Sequence, residues 1–231
     1  MNSLVRTARI TGLLYLSVVI TGGLGFLVIR PRLFTAGDAD ATLSNLLQHP
    51  ALARTGVALE LGLVVAQALT AIWFFMLFRT AHAVAAGSIA AFGLVNAIAI
   101  MTSAALLATA IDIGEQPVGD PAATVQTLYL VSGNMWGVGN LFFGLWLIPM
   151  GVCVLASRWM PRPMGWLLIG GGVGYLVSTF VNYLASGAQP IADALTVPAT
   201  IGELWMVAYL LIRGVRRTPR PVSAAALAAV P

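Results

Sequence analysis

Two carboxylates, Glu60 and Glu203, stand inside strongly apolar runs, and their type and placement could do chemistry. A carboxylate in hydrocarbon is costly to ionise, so it faces a partner or a cavity and marks a proton, cation or ligand site. Two amides, Asn134 and Asn182, fall in other apolar runs, and Asp112 ends a further one. Other reactive types are sparse. His49 and His82 are the two histidines, and they fall in connections expected on opposite sides of a membrane, which argues against a shared metal or a bis-histidine haem. Cys153 is the one cysteine, which excludes an intramolecular disulfide, a thiolate metal cluster and a CxxC pair. No serine sits in a nucleophile elbow, and the glycines from Gly170 to Gly174 lack the following Lys of a phosphate-binding loop. No catalytic residue, metal ligand or cofactor is therefore assigned.

The elements that must position these residues follow from composition. Of 231 residues, 59% are hydrophobic and 9% charged, with a mean hydropathy of +0.91, whereas soluble domains carry roughly a quarter charged residues. Six apolar segments, about 10–29, 56–78, 87–111, 128–156, 164–185 and 197–212, each approach the length that crosses a bilayer. Backbone groups cannot stay unpaired in hydrocarbon and the runs do not alternate, so helices are expected rather than barrel strands. The expected fold class is all-α: a polytopic transmembrane bundle of six helices forming a single domain over residues 1–217, with 218–231 as a disordered cytoplasmic tail. The first run is too long for the apolar region of a signal peptide and lacks a well-placed cleavage site, so it is expected to remain as the first span.

The net charge of +4 does not point to nucleic acid, because the basic residues are scattered beside apolar runs. All twelve are Arg, which with the abundant Ala and Gly suggests a GC-rich bacterial genome. With the N-terminus inside, nine of the twelve (Arg6, Arg9, Arg79, Arg158, Arg162, Arg213, Arg216, Arg217 and Arg220) fall on the inner side and Arg30, Arg32 and Arg54 on the outer. That asymmetry places both termini in the cytoplasm of a cell-membrane protein. In the first outer loop, Asp38 or Asp40 can cap a short interfacial helix whose Leu43, Leu46 and Leu47 share a face against the outer leaflet.

Small residues recur at helical spacing in the fourth run (Gly133, Gly137, Asn140, Gly144, Gly151) and the fifth (Gly170, Gly174, Ser178, Asn182, Ser186). Such stripes let helices approach closely in lipid, within the bundle or in a homo-oligomer. Trp73, Phe78, Trp159 and Trp166 on the inner side, with Tyr129 and Tyr183 on the outer, read as interfacial anchors. At the helical rise, Glu60 lies about 6 Å into its helix, Asn134 and Glu203 about 9 Å and Asn182 about 5 Å, all from the outer side. Glu60, Asn134, Asn182 and Glu203 are accordingly expected to share one outward-facing polar pocket, with Asp112 at its rim, that binds or moves a small ligand or ion. The alternatives are a structural or regulatory subunit, or an intramembrane enzyme using the carboxylates.

The segments Arg9-Ile10-Thr11-Gly12-Leu13-Leu14-Tyr15-Leu16, Gly37-Asp38-Ala39-Asp40-Ala41-Thr42 and Asn140-Leu141-Phe142-Phe143-Gly144-Leu145-Trp146-Leu147-Ile148-Pro149-Met150-Gly151 resemble a bacterial membrane family, Domain of Unknown Function 4386. So do Met160-Pro161-Arg162-Pro163-Met164-Gly165-Trp166-Leu167-Leu168 and Pro198-Ala199-Thr200-Ile201-Gly202-Glu203-Leu204, and the likeness runs from about Thr7 to Gly214. The resemblance implies a six-helix membrane protein and carries no activity or catalytic residue.

Overall fold

The computed structural model describes residues 3–185 and 187–215, so the expected tail at 218–231 and the small-stripe residue Ser186 lie outside the described residues. Those residues form seven helices: α1 (Ser3–Leu33), α2 (Ala39–Gln48), α3 (Pro50–Phe78), α4 (Ala83–Glu115), α5 (Pro121–Ser157), α6 (Arg162–Leu184) and α7 (Gln189–Ile212). Six of these, all but α2, are long and apolar enough to cross a membrane, which is consistent with an integral membrane protein. Large apolar side chains such as Leu27, Val84, Leu184 and Ile212 are exposed around the bundle, as expected where lipid is the solvent.

Five of the six long helices begin or end several residues outside their apolar runs, because capping chemistry rather than hydropathy sets the ends. The His82 ring nitrogen accepts from the backbone N–H of Ala85 (3.1 Å) and the Asp120 carboxylate from that of Ala123 (3.1 Å). Pro50, Pro121, Pro163 and Pro190 occupy first-turn positions, where a missing N–H costs nothing. Asp38 caps α2 by accepting from the N–H of Ala41 (2.9 Å). The apolar face of α2 folds onto the end of the bundle, with Leu46 buried against Gly114, while Leu47 is exposed. The fourth span runs through Pro149 as one helix.

Consecutive long helices pack side by side, and α7 returns to α1, which also packs on α3, so the six close into a ring. The α5–α6 contact is made backbone to backbone. A Cβ on Gly144 would lie 2.7 Å from the carbonyl of Gly172, and one on Gly151 would collide with the carbonyl of Gly165. The other face of α6 meets α7, where Gly174 touches the carbonyl of Leu195 and Gly171 lies against Ala199. Gly170, expected on the packing stripe, instead faces open space, because the contacting rows run through Gly165 and Gly172. Phe78, expected as an anchor, is fully buried and stacks on Trp159 at 6.1 Å.

Candidate functional site

Glu60 projects from α3 into a hydrogen-bonded chain that crosses the bundle. Its Oε1 accepts from the Ser103 hydroxyl of α4 (3.2 Å) and from the Trp136 indole N–H of α5 (3.2 Å). Ser103 Oγ lies 2.8 Å from Ser132 Oγ, which accepts from the Arg30 guanidinium (3.0 Å). Arg30 also donates to the Tyr129 carbonyl and lies 5.7, 5.7 and 5.8 Å from the ring centroids of Phe26, Phe34 and Tyr129. A carboxylate and a guanidinium are thus joined through two hydroxyls rather than in direct contact. Each compensates the other's charge, and the aromatic rings add cation–π attraction. The second Glu60 oxygen is buried without a protein partner. A cavity of about 20 Å³, bordered by Glu60, Arg30 and Tyr129, lies beside it and is large enough for about one water molecule.

Arg30 reaches this position through a local change of helix type. Residues Leu24–Ile29 are π-helical, and the Arg30 N–H bonds to the carbonyl of Gly25, five residues back. Such turns appear mostly as isolated bulges and are frequent at functional sites. The sequence signal for Arg30 was its flanking pair of rings, Phe26 and Phe34, each four residues away in the chain. Read only as a topology arginine, it was missed. Gln67 and Asn96 were missed too; both are buried in the bundle with side-chain amide atoms that have no partner.

The second carboxylate has a separate setting. Glu203 on α7 accepts from the Tyr15 hydroxyl of α1. The Tyr15 ring meets Phe74 and Trp146 edge-on at 5.3 and 5.6 Å, which locks its direction. Tyr175 on α6 stacks on Phe143 of α5, with ring centroids 6.1 Å apart.

Beside the Glu60 network the helices leave a wedge, a cavity of about 600 Å³ bounded by α1, α5, α6 and α7. In its N-terminal half α1 is pinned to α7, where a Cβ on Gly12 would lie 2.9 Å from that of Leu210. Towards its other end α1 packs on α3 instead, and the wedge opens between α1 and α7. Asn140, Ser178, Asn182, Gln189, Asp193 and Thr196 supply its polar lining. Trp136 and Tyr175 also line it, and the Trp136 indole is the one hydrogen-bonded to Glu60.

Of the residues expected to converge, Glu60 and Glu203 occupy two distinct networks, and no hydrogen bond joins any two of Glu60, Asn134, Asn182, Glu203 and Asp112. Asn182 lines the wedge. Asn134 is exposed, two residues before Trp136 and so rotated to the other side of α5, and Asp112 is exposed at the end of α4. Among the described residues, no three His, Cys, Asp or Glu side chains cluster as metal ligands. Three indoles are dispersed through the bundle: Trp136 lines the wedge, Trp146 lies in the core beside Tyr15, and Trp205 borders a pocket at the other end of α7.

The family model described as Domain of unknown function (DUF4386) matches residues 10–214. No curated protein and no solved structure matches the chain.

Proposed function

Because this chain belongs to the DUF4386 family, whose description assigns no activity, its function has to come from its own geometry, and we propose that it binds or moves a small ligand or ion through the wedge between α1, α5, α6 and α7. The observation that carries this reading is the cavity of about 600 Å³ whose wall includes Trp136, the indole that is hydrogen-bonded to Glu60. A volume of that order is typical of small-molecule sites. The lining favours a cation: among the described residues Asp193 is its one carboxylate and no Arg lines it, and the rings of Trp136, Phe143 and Tyr175 suit an organic ammonium. The Arg asymmetry supports a mouth on the outer side, since Gln189 and Asp193 follow the α6–α7 connection, which that asymmetry assigns to the outside.

A scaffold without a ligand is the competing reading, and the close glycine contacts of α5, α6 and α7 favour it. Melting of the purified protein in detergent separates the two. Tetramethylammonium, choline and sodium are titrated beside neutral and anionic compounds of similar size. The site reading expects a cation-dependent rise in the melting temperature that Asp193→Asn and Trp136→Leu reduce. Absence of charge selectivity, or a rise indifferent to both substitutions, would favour the scaffold.

A further inference from the structure

At the opposite end of α7 lies a second cavity, of about 470 Å³, bounded by the α5–α6 connection and the last turns of α7. Arg158 and Arg213 contribute two guanidiniums to its lining, and Trp159, Met160 and Trp205 contribute apolar surface. We propose that this pocket binds the phosphate of an anionic phospholipid, with the guanidiniums on the headgroup and the apolar wall along the upper part of the acyl chains.

Charge is the first support. The acidic side chains of the sequence all lie between residues 38 and 203, and none occurs in the inner connections 79–82 and 158–161 or after Glu203. Arg158 and Arg213 therefore have no Asp or Glu of their own end of the bundle to neutralise them. Guanidinium forks match phosphate oxygens in geometry, and basic pockets between spanning helices on the cytoplasmic side suit anionic headgroups.

The pocket is also built rather than incidental. Arg158 closes α5 in the left-handed region (φ 57°) and is the one non-glycine residue among those described to adopt it. That conformation favours Gly, so a long basic side chain there sets itself against backbone preference, as residues at functional sites do. Trp159 is fixed from both sides, by stacking on buried Phe78 and by the Tyr209 hydroxyl, which donates to its carbonyl (3.3 Å). A free phosphate ion would use only the two guanidiniums. The adjoining surface of α7 exposes Ile201, Leu204 and Ile212, which offers an acyl chain a continuous apolar path and makes a lipid the better fit.

The test uses the full-length protein in detergent, with lipid occupancy read by native mass spectrometry. Phosphatidylglycerol, phosphatidylcholine and inorganic phosphate are the probes. Arg158→Gly removes one guanidinium while relaxing the left-handed backbone, so it should fold at least as well as the parent, and it is combined with Arg213→Gln. Arg79→Gln, in another connection of the same end, is the control. The double variant is expected to bind phosphatidylglycerol about tenfold more weakly than the control, with phosphatidylcholine occupancy unchanged. Retained phosphatidylglycerol binding, or an equal loss in the Arg79→Gln control, overturns the site. Displacement of phosphatidylglycerol by millimolar inorganic phosphate overturns the lipid in favour of a free-phosphate site.

Discussion

The indole N–H of Trp136 lies 3.2 Å from Glu60 Oε1, while the same side chain lines the wedge and packs 5.3 Å from Phe26. One residue therefore separates a ligand-sized space from a buried carboxylate and is hydrogen-bonded to that carboxylate. Trp136→Phe keeps most of the ring surface and removes the donor. The expected cost is about 1–3 kcal/mol, that of leaving a buried acceptor short of a partner. Unfolding in detergent measures it, and Trp166→Phe, on a residue 65% exposed, should be near neutral. Equal stability of the two variants would remove Trp136 from the network.

Arg30 should tolerate no replacement, not even Lys. An ammonium cannot donate to both Ser132 and the Tyr129 carbonyl in the planar geometry that also faces three rings. Arg30→Leu leaves Glu60 without its compensating charge and should destabilise by about 3 kcal/mol. Adding Glu60→Gln to Arg30→Leu should then restore part of that loss. If the double variant is as unstable as the sum of its parts, the two residues are not coupled.

Glycine substitutions should divide by position. Gly151→Ala and Gly174→Ala place a methyl group against a backbone carbonyl of the neighbouring helix and should lower the melting temperature, with Leu worse at both. Gly170→Ala meets nothing within 4 Å and should be neutral or slightly stabilising. Uniform behaviour of the three alanine variants would contradict the packing described.

Orientation can be read by cysteine labelling in a Cys153→Ala background. The Arg asymmetry predicts that Asp120→Cys reacts with an impermeant reagent in intact cells, whereas His82→Cys reacts only after the inner face is opened. The reverse pattern inverts the topology.

The spans were legible because hydropathy and length speak directly to a bilayer, and Glu60 and Glu203 were legible because a carboxylate in such a run is conspicuous. Their partners were not. Helical rise gives the depth of a residue but not the direction in which it points, so Asn134, near Trp136 in height, turns away from the wedge on which Asn182 lies. Packing rows misled in the same way. Gly170 and Gly172 are equally small, and only the relative rotation of α5 and α6 decides that Gly172 is the contact. Arg30 was hidden for a further reason: an amphipathic reading assumes one helix period, and the π-turn before it changes that period.

That π-turn also bears on how this chain can vary in length. A spanning helix ordinarily resists insertions and deletions, because one residue rotates everything beyond it by about 100°. Leu24–Ile29 holds one residue more than an α-helical course needs. Deleting a residue there would relax the turn to ordinary helix, leave the hydrogen bonds whole and keep the direction of Arg30 relative to the preceding length of α1 that carries Tyr15. A chain shorter by one residue within this stretch would therefore be expected to keep both the span and the coupling of the guanidinium to Glu60, whereas the same deletion elsewhere in α1 would break that coupling.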